Sequence, residues 1–351
     1  MMKTSKRFYT AGATMKTNAR NVTIKDVAER AGVAISTVSR VLNGLDRVSP
    51  ETRTKVEKAI EDLGFVRNNI AASMKSGHSK LIAVVVPDII NEYYSAVIRG
   101  VEEVASEAGY ITTIFSSRES HSREQDFFSG EFGNIIDGAI IIPAYDDLEY
   151  YRMVSKPVVI IDRYISGSDM DAVVIDNYEG SYLLTKELLN AGHRKIAIIS
   201  GELEFNIGRD RLRGYLDAIR EAGIPEEKKY IRIDSWYKEH GYKSTIELLD
   251  LDDAPTAIVA ANNLITIGSI SALRERKIEI GKDFSLVGFD DSKVTELIER
   301  GITVISRPKE EMGRIGMIKL MDLINGNKNS EYSKKVILGV DLVRRGSVHR
   351  I

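Results

Sequence analysis

Residues 23–44 read TIKDVAERAGVAISTVSRVLNG, two short stretches of helical periodicity separated by Gly32. Thr23 stands three residues before Asp26, the spacing at which two side chains cap a helix start reciprocally. In the second stretch Val38, Val41 and Leu42 share one face and would pack on Val27 and Ala31 of the first. Ile35, Ser36, Ser39, Arg40 and Asn43 then point outward. A glycine turn between short helices, the second with a polar outer face, is the helix-turn-helix arrangement, whose second helix fits the DNA major groove. There Arg bonds guanine bidentately and Asn does the same with adenine. On these residues alone a generic helical pair remains an equal alternative. Ser49-Pro50-Glu51 supplies a cap and a proline for the first turn of a third helix. The expected helices span 24–31, 35–43 and 50–63.

Charge supports a polyanion as the head's partner. Residues 1–80 carry 15 Lys and Arg against 7 Asp and Glu, whereas the rest of the 351-residue chain carries 34 against 44. The overall formal charge of −2 conceals this division. Residues 1–21 lack hydrophobic periodicity and read as a disordered arm without the apolar core of a secretory signal, and Met15 is an alternative start. The absence of cysteine agrees with a reducing cytoplasm and excludes thiolate metal sites. No apolar run approaches the roughly 18 residues of a membrane span.

Beyond residue 80 the texture changes. LIAVVVPD, YITTIF, GAIIIPA, PVVIID, AVVID, KIAIIS, TAIVAANN and FSLVGFDD are continuous apolar runs, suited to parallel strands buried on both faces. Helical segments at 92–108, 179–191, 209–222, 264–276 and 309–325 alternate with them, which implies a doubly wound α/β body. Ligands in that architecture bind beyond the carboxyl ends of strands. Polar and aromatic residues stand at such positions: Asp88–Tyr94, Asp162, Asn262-Asn263, Asp290-Asp291 and the single Trp236. Amides and carboxylates beside an aromatic face suit a sugar, although each residue alone is more often a helix cap or core.

The opening stretch, followed by VSPETRTKVEKAIEDLGFVRNN, resembles the lactose/galactose repressor (LacI/GalR) family of bacterial transcription regulators. The similarity continues through IRGVEEVASEAGY, IDNYEGSYLLTKELLNAGHRKIAIISG, RLRGYLDAI and SLVGFDD, about residues 22–347. It implies a small all-α helix-turn-helix DNA-binding head plus an α/β, periplasmic-binding-protein-like body of two doubly wound parallel-sheet subdomains. The expected divisions are a head at 22–66, a hinge at 67–79, an N-subdomain at 80–175 and 304–335, and a C-subdomain at 176–303 and 336–351.

By the same resemblance Thr23, Ile35, Ser36, Thr37, Ser39, Arg40, Asn43 and Ser49 lie at the DNA. Ile35, Ser36 and Arg40 would read bases, with Thr23, Ser39, Asn43 and Ser49 nearer phosphates. Asn68 and Met74 belong to the hinge, where the family commonly wedges a Leu into the minor groove. Two departures stand in this part: Ala34 replaces the family's usual Ser, and Arg67 its usual Pro. In the body, Arg211 matches an effector-binding arginine, Asp290 an acceptor carboxylate, Asn262 an amide and Trp236 a stacking aromatic. Tyr93 and Tyr94 would line the first subdomain's side, with Asp162 and Phe205 completing the set. Asn263 and Glu92 stand where Asp and Pro are usual, and Phe205 and Ile207 where the purine-binding branch has Arg and Thr.

The expected protein is a cytoplasmic, homodimeric transcriptional repressor of a palindromic operator, answering to a sugar or sugar-acid effector and needing no cofactor or metal. A purine-responsive, corepressed regulator and a non-regulatory sugar-binding protein are the alternatives. No phosphate loop, nucleophile elbow or metalloprotease motif points to an enzyme. The five His lack metal-ligand spacing, and His193 is expected to cap a helix end.

Overall fold

The computed structural model describes residues 22–42, 44, 48–65, 78–327 and 332–351. Asn43, Asn68, Met74 and nearly all of the expected hinge lie outside the described residues. The chain divides into two compact units, Met1–Gly77 and His78–Ile351.

In the first unit, α1 (Ile24–Ala31) opens with a capping box in which the Thr23 N–H donates to the Asp26 carboxylate at 2.7 Å and Thr23 Oγ1 accepts from the Asp26 N–H at 3.4 Å. Gly32 ends it in the left-handed region at φ 66°. Val38 and Val41 of α2 (Ile35–Leu42) pack with Val27 and with Val56 of α3 (Pro50–Leu63), and Val27, Val38 and Val56 are wholly buried. Ser49 caps α3 through the Thr52 N–H at 3.3 Å, with Pro50 at its first position. Helix α2 begins without a hydroxyl at Ala34. The Ala34 carbonyl accepts from the Thr37 and Val38 N–H groups, but its methyl cannot take the free N–H groups of the first turn.

The second unit is an α/β body of two sheets. Its strands are β1 (Leu81–Val86), β2 (Ile111–Ser116), β3 (Gly138–Ile141), β4 (Val158–Ile161), β5 (Asp171–Ile175), β6 (Ile196–Ser200), β7 (Ile231–Ile233), β8 (Ala257–Ala260), β9 (Ser285–Phe289), β10 (Thr303–Ser306), β11 (Lys335–Leu338) and β12 (Asp341–Val343). The first sheet runs β11-β5-β4-β3-β1-β2 and the second β12-β10-β9-β8-β6-β7. All pairings are parallel except β10 with β12. Strands β1, β3, β4, β6, β8 and β9 are buried nearly throughout, which is why they read as unbroken apolar runs.

The helices are α4 (Glu92–Glu107), α5 (His121–Ser129), α6 (Glu131–Ile135), α7 (Leu148–Met153), α8 (Asn177–Asn190), α9 (Asn206–Glu221), α10 (Lys238–Leu249), α11 (Asn263–Glu275), α12 (Lys293–Leu297) and α13 (Lys309–Ile324). Helix α13 returns to the first lobe and presses on α4, where a Cβ on Gly100 would lie 1.9 Å from the Glu310 carbonyl oxygen. Among the described residues no helix is long and apolar enough to cross a membrane.

Two of the expected divisions are corrected by strand pairing. Strand β10 pairs with β9 and so belongs to the second lobe, placing that crossover after Ser306 rather than before residue 304. Strand β11 pairs with β5 in the first lobe, so the last crossover follows Leu338 rather than residue 335. A sheet neighbour, not an apolar run, decides which lobe owns a strand. His193 is also corrected: its backbone N–H bonds the Leu188 carbonyl, but its ring is a buried hub. Nδ1 lies 2.8 Å from Thr256 Oγ1 and Nε2 lies 2.9 Å from Ser285 Oγ, so the ring joins the starts of β8 and β9 instead of capping a helix.

Ala34→Ser is expected to stabilise the start of α2 by about 1 kcal/mol, slowing exchange of its first-turn amides about fivefold. Hydrogen exchange on the full chain resolves the difference.

Candidate functional site

The outer face of α2 is set by what its inner face buries. Val38 and Val41 point to the core, so Ile35 is 43% exposed, Ser36 and Arg40 are exposed, and Thr37 and Ser39 are half-buried. An exposed isoleucine beside an arginine and small hydroxyls gives one apolar and several donor contacts on one helical surface. Thr23 and Ser49 cap their helices as expected, and both hydroxyls are engaged there, Thr23 with Asp26 and Ser49 with Thr52.

In the body, the carboxyl ends of both sheets border one cleft that leaves about 530 Å³ unfilled, mouth included. Tyr93, Tyr94, Asp162, Arg211, Trp236, Asn262 and Asp290 all line it. Phe205 does not. It is buried behind the lining, with its ring 5.0 Å from the Arg163 guanidinium.

Asp162 follows β4 and Asp290 follows β9, the corresponding strands of the two sheets. Each donates its N–H to a neighbouring strand at 2.9 Å, to Val173 and Ile305, and then turns into the left-handed region at φ 70° and 74°. Such a turn is costly for most residues and tolerable for Asp. It brings the two carboxylates to one guanidinium. Arg307, immediately after β10, donates from Nε and Nη2 to the two oxygens of Asp290 and from Nη1 to Asp162 Oδ1. Its guanidinium lies 3.5 Å from the centre of the Tyr93 ring. Burial opposes charge on Arg307 and Asp290, yet their mutual attraction prevails: Arg307 is held well above its usual value and Asp290 below its own.

Arg211, on α9, has a different environment. Nε donates to Asn177 Oδ1 at 2.9 Å, Nη1 donates to the Ala261 carbonyl, and Nη2 has no partner. Its guanidinium lies 3.7 Å from the Phe289 ring centre. Burial, and secondly the charge of Arg307, bring it down to about 10. Trp236 lies against Gly201, where a Cβ would stand 2.0 Å from the indole, so only glycine admits the ring there. The Asn262 amide is already engaged, accepting the Ile265 N–H at 2.7 Å as the α11 cap and donating to the Trp236 carbonyl at 2.9 Å. Tyr93 likewise directs its hydroxyl at Met312 sulfur.

Three charged lining residues escaped the sequence reading: Arg307, Arg163 and Glu119. Arg163 forms a bidentate pair with Glu119 at 2.5 and 2.6 Å and donates to the Pro143 carbonyl at 3.0 Å, leaving Nε without a partner. Its place directly after Asp162 was the available signal. Hydrogen bonds also join the lobes directly, Asn263 to Asn91 at 2.8 Å and the Tyr164 N–H to Asn206 at 2.9 Å. Behind the wall, Glu124 is wholly buried and accepts from the Tyr151 hydroxyl and from the Ala144 N–H at 3.1 Å.

Residues 23–68 match the family described as bacterial regulatory proteins, lacI family, and residues 185–348 match the periplasmic binding protein-like domain. The HTH-type transcriptional repressor CytR of Escherichia coli (strain K12) is 31% identical over 333 residues, 94% of this chain and 97% of the relative. Among solved structures, a transcriptional regulator CelR–cellobiose complex aligns with a TM-score of 0.71 at 30% identity, over 93% of this chain and 99% of that one. The lac repressor dimer bound to operator and the anti-inducer ONPF aligns with a TM-score of 0.83 at 26% identity, over 94% and 100%.

Burial first of all pushes the Glu124 carboxyl up to about 7, against the hydrogen bonds from Tyr151 and Ala144. The folded body therefore keeps a proton that the unfolded chain releases near 4.5, and stability is lost as pH rises through 7. Glu124→Gln removes this dependence: its stability relative to the parent is expected to rise by roughly 2–3 kcal/mol between about pH 5 and about pH 8. Urea unfolding of the body across that range measures it.

Proposed function

Because this chain belongs to the LacI family of bacterial regulatory proteins, we propose that it represses transcription by holding a palindromic operator as a homodimer, with a small effector in the body's cleft changing its grip on DNA. Family members are transcriptional repressors rather than enzymes. The observation that carries the reading is the presence, in one chain, of a helix-turn-helix head and a two-lobed body whose cleft concentrates polar and aromatic side chains. A protein that meets the bacterial chromosome works in the cytoplasm.

At the DNA, Ile35, Ser36 and Arg40 are assigned to base edges and Ser39 and Asn43 to phosphates. Thr23 and Ser49 are assigned to phosphate contact chiefly through the helix starts that they cap, since a helix N-terminus favours anions. Asn68 and Met74 are assigned to the hinge in the minor groove.

The effector is assigned as a sugar or sugar acid. Support comes from Trp236, Tyr93 and Tyr94 as aromatic faces beside Arg211, Asn262, Asp162 and Asp290, with Phe205 bracing the wall through Arg163. Phe205 and Ile207 offer no polar readout for a purine. Regulation follows from linkage: an effector shifts DNA affinity only by its differential affinity for two arrangements of the lobes, typically ~1–3 kcal/mol. Arg307, Asn91 and Asn206 make the contacts that distinguish such arrangements.

Arg40→Ala is expected to weaken binding about tenfold or more to the duplex that the parent chain selects from random-sequence DNA, the worth of one bidentate base contact. Fluorescence anisotropy checks it, and unchanged affinity removes Arg40 from base reading. The intrinsic fluorescence of Trp236, the single tryptophan, is expected to change saturably with a member of a panel of sugars and sugar acids. A response to hypoxanthine or guanine alone replaces the sugar assignment by the purine one.

A further inference from the structure

The polar groups around the cleft are unevenly satisfied. On the acceptor side, Asp290 has both oxygens engaged by Arg307, and Glu119 has both engaged by Arg163. Asn262 Oδ1 accepts from the Ile265 N–H, and Asn91 Oδ1 accepts from the Tyr93 N–H and Asn263 Nδ2. Asp162 and Asp88 each have one oxygen taken, by Arg307 and by the Ile90 N–H. On the donor side, two buried atoms of lining residues are without a partner among the described residues, and both are guanidinium N–H groups: Nη2 of Arg211 and Nε of Arg163. The spare donors are thus both guanidinium N–H groups, and the wholly spare acceptor oxygens are one each on Asp162 and Asp88.

The charge of the spare donors discriminates between ligands. Every hydroxyl of a neutral sugar brings a proton that needs an acceptor, whereas a carboxylate brings acceptors only. A buried donor left without an acceptor is costly, and a charge-assisted bond from guanidinium to carboxylate is strong. Arg211 also has no carboxylate partner, only the Asn177 amide and the Ala261 carbonyl.

We infer that Arg307 sets the chemical class of the ligand: by occupying Asp162 and Asp290 it adapts the cleft to a monosaccharide acid, whose carboxylate takes the spare N–H groups of Arg211 and Arg163, in preference to the neutral sugar. The inference rests on the sugar reading of the cleft. Without the Arg307 charge, Asp162 and Asp290 become two bare carboxylates that repel an anion and accept hydroxyl protons, so the preference reverses. The remaining oxygens of Asp162 and Asp88 can accept from ring hydroxyls that the acid shares with the neutral sugar.

Calorimetric titration of the full chain with D-glucuronate against D-glucose, and D-galacturonate against D-galactose, tests this. The acid of at least one pair is expected to bind about tenfold or more tightly than its neutral partner, the worth of one charge-assisted hydrogen bond. Arg307→Gln is expected to lower that ratio by about tenfold, whereas Arg307→Lys, which keeps the charge, preserves it. Circular dichroism establishes that each variant is folded, and if Arg307→Gln is not, the parent ratio decides. A neutral sugar that binds as tightly as its acid, or a folded Arg307→Gln with the parent ratio, overturns the inference and leaves the sugar reading intact. Failure of all four ligands to bind removes the sugar reading and the inference together.

Discussion

The body depends on a buried ion cluster that no single lobe can assemble. Arg307, Asp162 and Asp290 are each at least 94% buried. One guanidinium cannot neutralise two carboxylates, and desolvating three charges is expensive. Such a cluster is tolerated only when its geometry is nearly complete. Here three guanidinium nitrogens find carboxylate oxygens and the Tyr93 ring covers the flat face of the cation. The backbone contributes as well, because both aspartates turn left-handed directly after a ladder bond, at matching strands of two similar sheets. Removing Arg307 leaves two desolvated carboxylates without their partner, so the cluster constrains every element that carries it.

Its position couples chemistry to motion. Arg307 stands where the chain leaves β10 in the second lobe for α13 in the first, so its guanidinium travels with the crossover. Asp162 belongs to the first lobe and Asp290 to the second. Any rotation of one lobe on the other must lengthen the bond to Asp162 or the pair to Asp290, and the Asn91–Asn263 bond crosses the same gap. A ligand among these groups meets contacts that already discriminate between arrangements. That is the physical requirement for an effector to shift an equilibrium.

The head and the cleft were legible to different degrees. Capping residues and apolar spacing placed α1, α2 and α3 to within one residue, because caps and 3.6-residue periodicity act locally. Unbroken apolar runs located eight strands of the body, and the polar and aromatic residues singled out beyond strand ends included nine that line one cleft. The run TVIS at β10 holds only two apolar residues, Val304 and Ile305, between two hydroxyl-bearing ones and does not stand out, and with it went Arg307. Thr23, Ser49 and Asn262 were legible as polar residues at helix starts, but sequence could not say whether the cap or a ligand would take their side chains. Phe205 fell behind Arg163 for a similar reason, since a ring one residue before a helix faces whichever neighbour tertiary packing supplies.

By itself the sequence determined the local and the periodic: where helices begin, which strands are buried on both faces, and that a basic helical head precedes an α/β body. These follow from interactions between residues a few positions apart, or from how a segment partitions between water and a core. Tertiary structure alone decided which lobe owns β10 and β11, which arginine meets the two strand-end aspartates, and which N–H groups stay without a partner. Arg307 and Asp162 are 145 residues apart in the chain, and their pairing exists only once both sheets have formed and the crossover has brought the guanidinium between them. An ionic contact of that separation leaves no periodic trace in the sequence, because its partners are selected by where two independently folded surfaces meet.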